Sequence, residues 1–241
     1  MGKIISRNKS IIPACDVPFE HIGRLVEATH NIPEVGAYKI PAISGREGWK
    51  NWVREIRMYS DKSIIIDPQK WIPDPVEKVN KESIKSLKES GIDAAIIFPL
   101  INFENLEDVV KTAQDMDFGV IVGADMTTNT GEKNYFKGMA SLVYHCAAGL
   151  GVVNFAVPGT KPESIKNYKI SIERGGVENP IFYSPGFIAQ GGKITKSVKK
   201  AAGERFHPII GRGIYWNEEN GRLNNSDEII KATLNLVNKL K

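Results

Sequence analysis

Cysteine is scarce, with only Cys15 and Cys146 in 241 residues. So low a count excludes a disulfide framework, and two reduced, structural thiols in a reducing compartment are expected. Long apolar runs are missing too: no stretch reaches the roughly 18 residues of a membrane helix, and Met1-Gly2-Lys3-Ile4-Ile5-Ser6 lacks the apolar core of a secretory leader. A cytoplasmic protein with no membrane partner is the expectation. Neither charge sign dominates. The balance is 32 Lys+Arg against 28 Asp+Glu, net +4, with one modest basic run at Lys193, Lys196, Lys199 and Lys200. Such a mild excess is no nucleic-acid footprint, and no nucleic-acid partner is expected. The four histidines, His21, His30, His145 and His207, form no cluster at metal-ligand spacing. Neither G-x-G-x-x-G nor a Walker pattern occurs.

What is present is the balance of a folded globular chain, 41% hydrophobic and 25% charged. Eight short apolar, β-branched runs recur at near-constant spacing: Ile11–Cys15, Val35–Ile40, Ser63–Ile66, Asp93–Phe98, Phe118–Val122, Val152–Val157, Pro180–Tyr183 and His207–Ile210. Continuous runs of this kind fit strands buried on both faces. Between them lie helical patterns such as Trp49-Trp52-Val53-Ile56, Leu106-Val109-Val110-Ala113 and Ile229-Ile230-Thr233-Leu234-Val237. Regular strand–helix alternation predicts an α/β protein with a parallel sheet, and eight units is the number that closes a (β/α)8 TIM barrel, here a single domain over residues 1–241.

Chemistry in such barrels sits at the C-terminal ends of the strands. The polar residues there are Asp16, Lys39, Asp67 with Lys70 and Asp74, Asp125 with Thr127, and the segments Pro185–Gly192 and Gly211–Gly213. Lys39 stands inside an apolar strand, where an unpaired ammonium is costly, so it should leave through the barrel mouth or pair with a carboxylate. Asp67 and Lys70 on the next strand are the expected neighbours, and an ion pair tying two strands would satisfy the same pattern. Asp67 and Lys70 are three apart and would point to opposite faces of a regular strand, so a bulge or turn is expected near Pro68. Ser184–Gly192 and Gly211-Arg212-Gly213 follow the seventh and eighth runs. In phosphate-binding barrels, these two loops bring backbone N–H groups, and here an Arg fork, up to an anion.

With these residues in view, the chain resembles orotidine 5′-phosphate decarboxylases, in particular their divergent prokaryotic and archaeal branch. The resemblance runs from about Ile11 to about Tyr215. It is densest at Asp67-Pro68-Gln69-Lys70 with Asp74, Gly123–Thr127, Val157–Glu163, Ser184–Gly192 and Ile210–Tyr215. It implies decarboxylation of orotidine 5′-monophosphate to UMP and CO2 in pyrimidine biosynthesis, without metal or organic cofactor. It also implies a catalytic Lys–Asp–Lys–Asp array of Lys39, Asp67, Lys70 and Asp74, with Lys70 as proton donor to C6. Asp16 would meet the ribose, Thr127 the pyrimidine edge, and Pro185, Gln190, Gly191, Gly192, Gly211 and Arg212 the phosphate side. The last carboxylate of the family's array crosses a dimer interface, which implies a homodimer with shared active sites.

Two other functions fit parts of the pattern. A sugar-phosphate decarboxylase or synthase of the same superfamily would keep the barrel and the phosphate loops but use Mg²⁺, for which the Lys39-centred array is ill suited. A catalytically silent nucleotide-binding module would retain Gln190 and Arg212 but lose turnover.

Overall fold

The computed structural model describes residues 4–41, 48–71, 73–74, 76–99, 101–127 and 137–241, and at 69–71 and 137 the backbone alone. Each apolar run carries a strand: β1 (Ile12–Pro13), β2 (Ala37–Pro41), β3 (Ser63–Trp71), β4 (Ala94–Ile97), β5 (Gly119–Gly123), β6 (Asn154–Ala156), β7 (Ile181–Ser184) and β8 (Phe206–Ile210). They form one eight-stranded parallel sheet in the order β1-β8-β7-β6-β5-β4-β3-β2. The ends of that order meet through the isolated parallel bridges Ile11↔Val35 and Ala14↔Lys39. There the Cys15 N–H donates to the Lys39 carbonyl at 2.8 Å, and the Gly36 N–H to the Ile11 carbonyl at 3.1 Å. These bridges close the ring, giving the (β/α)8 TIM barrel that the eight runs predict.

Between and after the strands lie α1 (Ile22–Thr29), α2 (Trp49–Arg57), α3 (Glu77–Glu89), α4 (Phe103–Asp115), α5 (Lys137–Gly149), α6 (Pro162–Arg174), α7 (Lys196–Ala202), α8 (Arg212–Tyr215) and α9 (Ser226–Leu240). Their starts carry recognisable signals. Asn102 accepts the Asn105 N–H to cap α4, Pro162 opens α6, and Asn225 and Glu228 form a capping box on α9. A small antiparallel hairpin, Trp216–Asn217 with Arg222–Leu223, lies between α8 and α9; the apolar patterning gives no sign of it. None of the described helices is long and apolar enough to cross a membrane.

Strand alternation sorts the core into two layers. Tyr38, Ile64, Ile66, Val120, Val122 and Phe182 face the helices, while Ile12, Ala37, Ile65, Ile96, Ile121, Tyr183 and Ile209 fill the barrel. The barrel's lower end carries a buried polar group. Ser10 Oγ lies 2.8 Å from His207 Nδ1, Tyr183 donates to Asn154 Oδ1 at 3.3 Å, and the Tyr183 and His207 rings are 5.1 Å apart.

One strand is irregular. On β3, Ile66 stands opposite Ala95 but Trp71 opposite Ile97, so residues 67–70 occupy the span in which β4 advances by Ile96 alone. The irregularity expected near Pro68 is present, and strand alternation therefore does not govern the relation of Asp67 to Lys70.

Candidate active site

The inward register of each strand, carried past its end, produces a cavity at the C-terminal mouth. Ile12 and Ala14 lead to Asp16, Ala37 to Lys39, Ile65 to Asp67, Ala94 and Ile96 to Phe98, Ile121 to Asp125, Tyr183 to Pro185, and Ile209 to Gly211, all at period two. These mouth residues, together with Met126, Thr127, Phe187, Gln190, Arg212 and Tyr215, line a cavity of about 310 Å³.

One side of the mouth is charged. Lys39 is buried, and its Nζ lies 3.0 Å from Asp16 Oδ1 and 3.4 Å from Oδ2, with Asp67 Oδ2 at 3.9 Å. Two carboxylates thus offset the desolvation of one ammonium. The closer partner is Asp16, on the preceding strand rather than the following one, beside Lys39 through the bridge Ala14↔Lys39. Behind this group, burial, and after it the charge of Asp16, pushes the Cys15 thiol far up. That thiol is inert, and both cysteines are free.

The opposite side is built from close backbone approaches. In the loop after β7, the Gly192 N–H donates to the Gly186 carbonyl at 3.1 Å and the Ile188 N–H to the Gly192 carbonyl at 2.8 Å. Gly186 has φ +101, and a Cβ there would lie 2.8 Å from Thr127 Cγ2, so the loop after β7 sits directly on the loop after β5. Gly159, after β6, has no room for a side chain: its Cβ would lie 2.4 Å from Phe187 Cζ. Ile188 adopts φ 62, a strained setting for a β-branched residue.

Beneath these loops the buried Asp125 carboxylate accepts from Lys161 Nζ at 3.2 and 3.4 Å, from the Tyr168 hydroxyl at 2.8 Å and from the Met126 N–H at 2.8 Å. Lys161 also donates to the Met126 carbonyl at 2.8 Å. Burial, then the bond to Asp125, raises the Tyr168 phenol well above its usual range. Tyr144 ties the adjacent strand ends, accepting from the Ala124 N–H at 3.1 Å and donating to the Ala156 carbonyl at 2.7 Å. At the cavity wall, Tyr215 is pushed up to about 12 by burial and the nearby Asp16 charge, with Arg212 opposing. It is therefore a neutral donor at physiological pH.

Of the residues predicted from sequence, Asp16, Lys39, Asp67, Thr127, Pro185, Gln190, Gly211 and Arg212 meet on the cavity wall. Gly191 and Gly192 shape the loop behind it without lining it. Asp74 is absent from the wall of its own chain's cavity. The Lys70 side chain lies outside the described residues. Phe98, Met126, Phe187 and Tyr215 line the cavity without having been singled out, although each continues or flanks an inward strand position. Among the described residues, no three His, Cys, Asp or Glu side chains gather as a metal-holding group.

No family model matches the sequence. The orotidine 5′-phosphate decarboxylase of Methanococcus maripaludis is 29% identical over 168 residues, 70% of this chain and 72% of that protein. The orotidine 5′-phosphate decarboxylase of Thermococcus kodakarensis is 24% identical over 140 residues, 58% of this chain and 60% of that one. Among solved structures, the orotidine 5′-monophosphate decarboxylase of Methanocaldococcus jannaschii complexed with inhibitor BMP superposes with a TM-score of 0.75 at 24% identity, covering 97% of this chain and 99% of that one. In sequence and in fold, the chain resembles the orotidine 5′-phosphate decarboxylases as a divergent relative.

Proposed function

We propose that this chain is a carbon–carbon lyase that converts orotidine 5′-monophosphate to UMP and CO2 in pyrimidine biosynthesis, without metal or organic cofactor. The observation that carries the reading is the meeting of two chemistries in one cavity. Lys39 sits between Asp16 and Asp67 on one wall, and Gln190, Gly211 and Arg212 stand on the other. The first suits a carboxylate leaving a ring and the carbanion it leaves behind; the second suits a phosphate dianion.

In this mechanism Asp67 crowds the substrate carboxylate. The bond from C6 to the carboxylate carbon breaks, CO2 departs, and the electron pair stays on C6. The Lys70 ammonium stabilises that pair and donates the proton that forms the new C–H bond. Lys39 and Asp74 hold the ribose hydroxyls and maintain the charge alternation, and Asp16 bonds the ribose. Thr127 meets the pyrimidine edge, while the phosphate contacts organise the loop around Gln190 and exclude water.

Asp74 acts on the neighbouring copy in a homodimer. Two features support this placement: Asp74 is absent from its own cavity wall, and the first turns of α3 and α4, with the residues just before them, expose Val76, Val79, Ile101 and Phe103. The deciding experiment is turnover of orotidine 5′-monophosphate by purified protein in the presence of EDTA. Steady formation of UMP is expected, and an unchanged substrate under conditions where a reference enzyme works would overturn the reading. Mixing Lys39→Ala with Asp74→Asn protein tests the dimer, because only exchange of Asp74 between copies regenerates an intact site.

A further inference from the structure

Asp74 lies in a connection between β3 and α3 and takes part in no strand or helix, yet both its backbone polar groups are bonded to side chains. Its N–H donates to Asn80 Oδ1 at 2.8 Å, and its carbonyl accepts from Asn80 Nδ2 at 2.7 Å. The same carbonyl accepts a second bond from Asn105 Nδ2. Asn80 is on α3 and Asn105 on α4, and both are buried. The Asn80 amide is itself held, its Nδ2 also donating to Asp108 Oδ2 at 2.7 Å; on Asn105 the backbone N–H is fixed by the Asn102 cap at 2.8 Å, while the buried Oδ1 has no partner among the described residues.

Such an arrangement is costly unless it serves the peptide it grips. A buried amide costs about 1–3 kcal/mol when unsatisfied, and asparagine is a weaker helix former than leucine, which would pack α3 against α4 without either penalty. Both amides converge on the one residue in this connection that carries a carboxylate. With its N–H and carbonyl fixed, residue 74 keeps only its side-chain torsions, and Oδ1 accepts the Val76 N–H at 2.8 Å. The carboxylate is thereby held at one place in the connection between β3 and α3.

We infer that Asn80 and Asn105 are positioning residues for Asp74, acting on catalysis only through the placement of that carboxylate. The inference rests on the reading of Asp74 as a member of the charge array, and a double-mutant cycle separates the two.

In the parent background, Asn80→Ala should lower kcat/KM about 100-fold, the scale of an ångström-sized misplacement. Asn105→Ala, which removes one bond, should lower it about tenfold. In an Asp74→Asn background, each should change kcat/KM by less than about twofold, because the group they place is already gone. A merely structural role would produce the same loss in both backgrounds. Equal losses, or unchanged kcat/KM in both asparagine variants while Asp74→Asn is impaired, would overturn the positioning role and leave the reading of Asp74 intact. Full activity in Asp74→Asn would remove that reading, and the inference with it. If Asn80→Ala does not fold, Asn105→Ala carries the cycle.

Discussion

The two sides of the barrel mouth are built on different principles. On the β1–β3 side, the site is three charges, Asp16, Lys39 and Asp67, brought together by the bridges between β1 and β2 and by the ladder between β2 and β3. On the β5–β8 side, few charges line the cavity, but the loops lock together through Gly159 against Phe187, Gly186 against Thr127, and the Asp125–Lys161–Tyr168 cluster. On the charged side Asp16 is partly open to water, which can take over some of what a lost partner supplied, whereas close packing has no such relief. Activity and stability should therefore separate across the mouth.

The largest effect is expected from Lys39→Ala. It should reduce kcat/KM by at least about 10³-fold, the scale on which a preorganised charge contributes, while lowering the thermal midpoint less than Asp125→Ala does. A steep fall in midpoint would break the contrast between the two sides. Asp125→Ala is the opposite case. It removes a buried carboxylate that accepts from Lys161 and Tyr168, and unfolding in denaturant should show a loss of about 3 kcal/mol.

Gly159→Ala comes next, at about 1–3 kcal/mol, since the new methyl must displace Phe187. Weaker UMP binding should accompany it, because Phe187 belongs to the loop that carries Gln190; calorimetry measures this directly. The smallest effect at neutral pH, and one visible only in alkali, concerns the tyrosines. Burial raises Tyr38, Tyr144, Tyr168, Tyr183 and Tyr215, the last to about 12. Above about pH 10 the unfolded chain releases phenolic protons that the folded chain retains, so this stabilisation is complete below that pH and falls as pH rises toward the folded values. Four of the five lie on the interlocked side. Phenolate absorbance that grows in step with unfolding would sharpen the comparison, and ionisation of these groups near pH 10 in the folded protein would break it.

Much of the scaffold was legible because both faces of each strand are buried, which writes a continuous apolar run into the chain. The extension of β3 to Trp71 left no such mark, since residues 67–70 are not apolar and are paired irregularly. The spacing of Asp67 and Lys70 did announce that irregularity. Lys39 was legible as a charge in an apolar strand, but its closer partner was not: the polar run Asp67–Lys70 drew attention to the following strand, whereas Asp16 on the preceding strand lies nearer. Lys161 and Tyr168 were hidden for a related reason, because their bonds to Asp125 join separate loops and no local pattern requires them. Glycine was the better guide on that side, since close approach demands it wherever it occurs.

The join between β1 and β8 has a temporal meaning. β1 is two residues long and takes its ladder partner from β8, at the far end of the chain. A ribosome that has released only the first seven strands has not yet supplied the partner against which β1 is held, and closing so long a loop is the slow, entropically costly part of such a topology. Asp16 follows β1, so the strand that carries it gains its ladder partner only when β8 has been made. Completion of the barrel is therefore also the step that fixes one end of its charged centre.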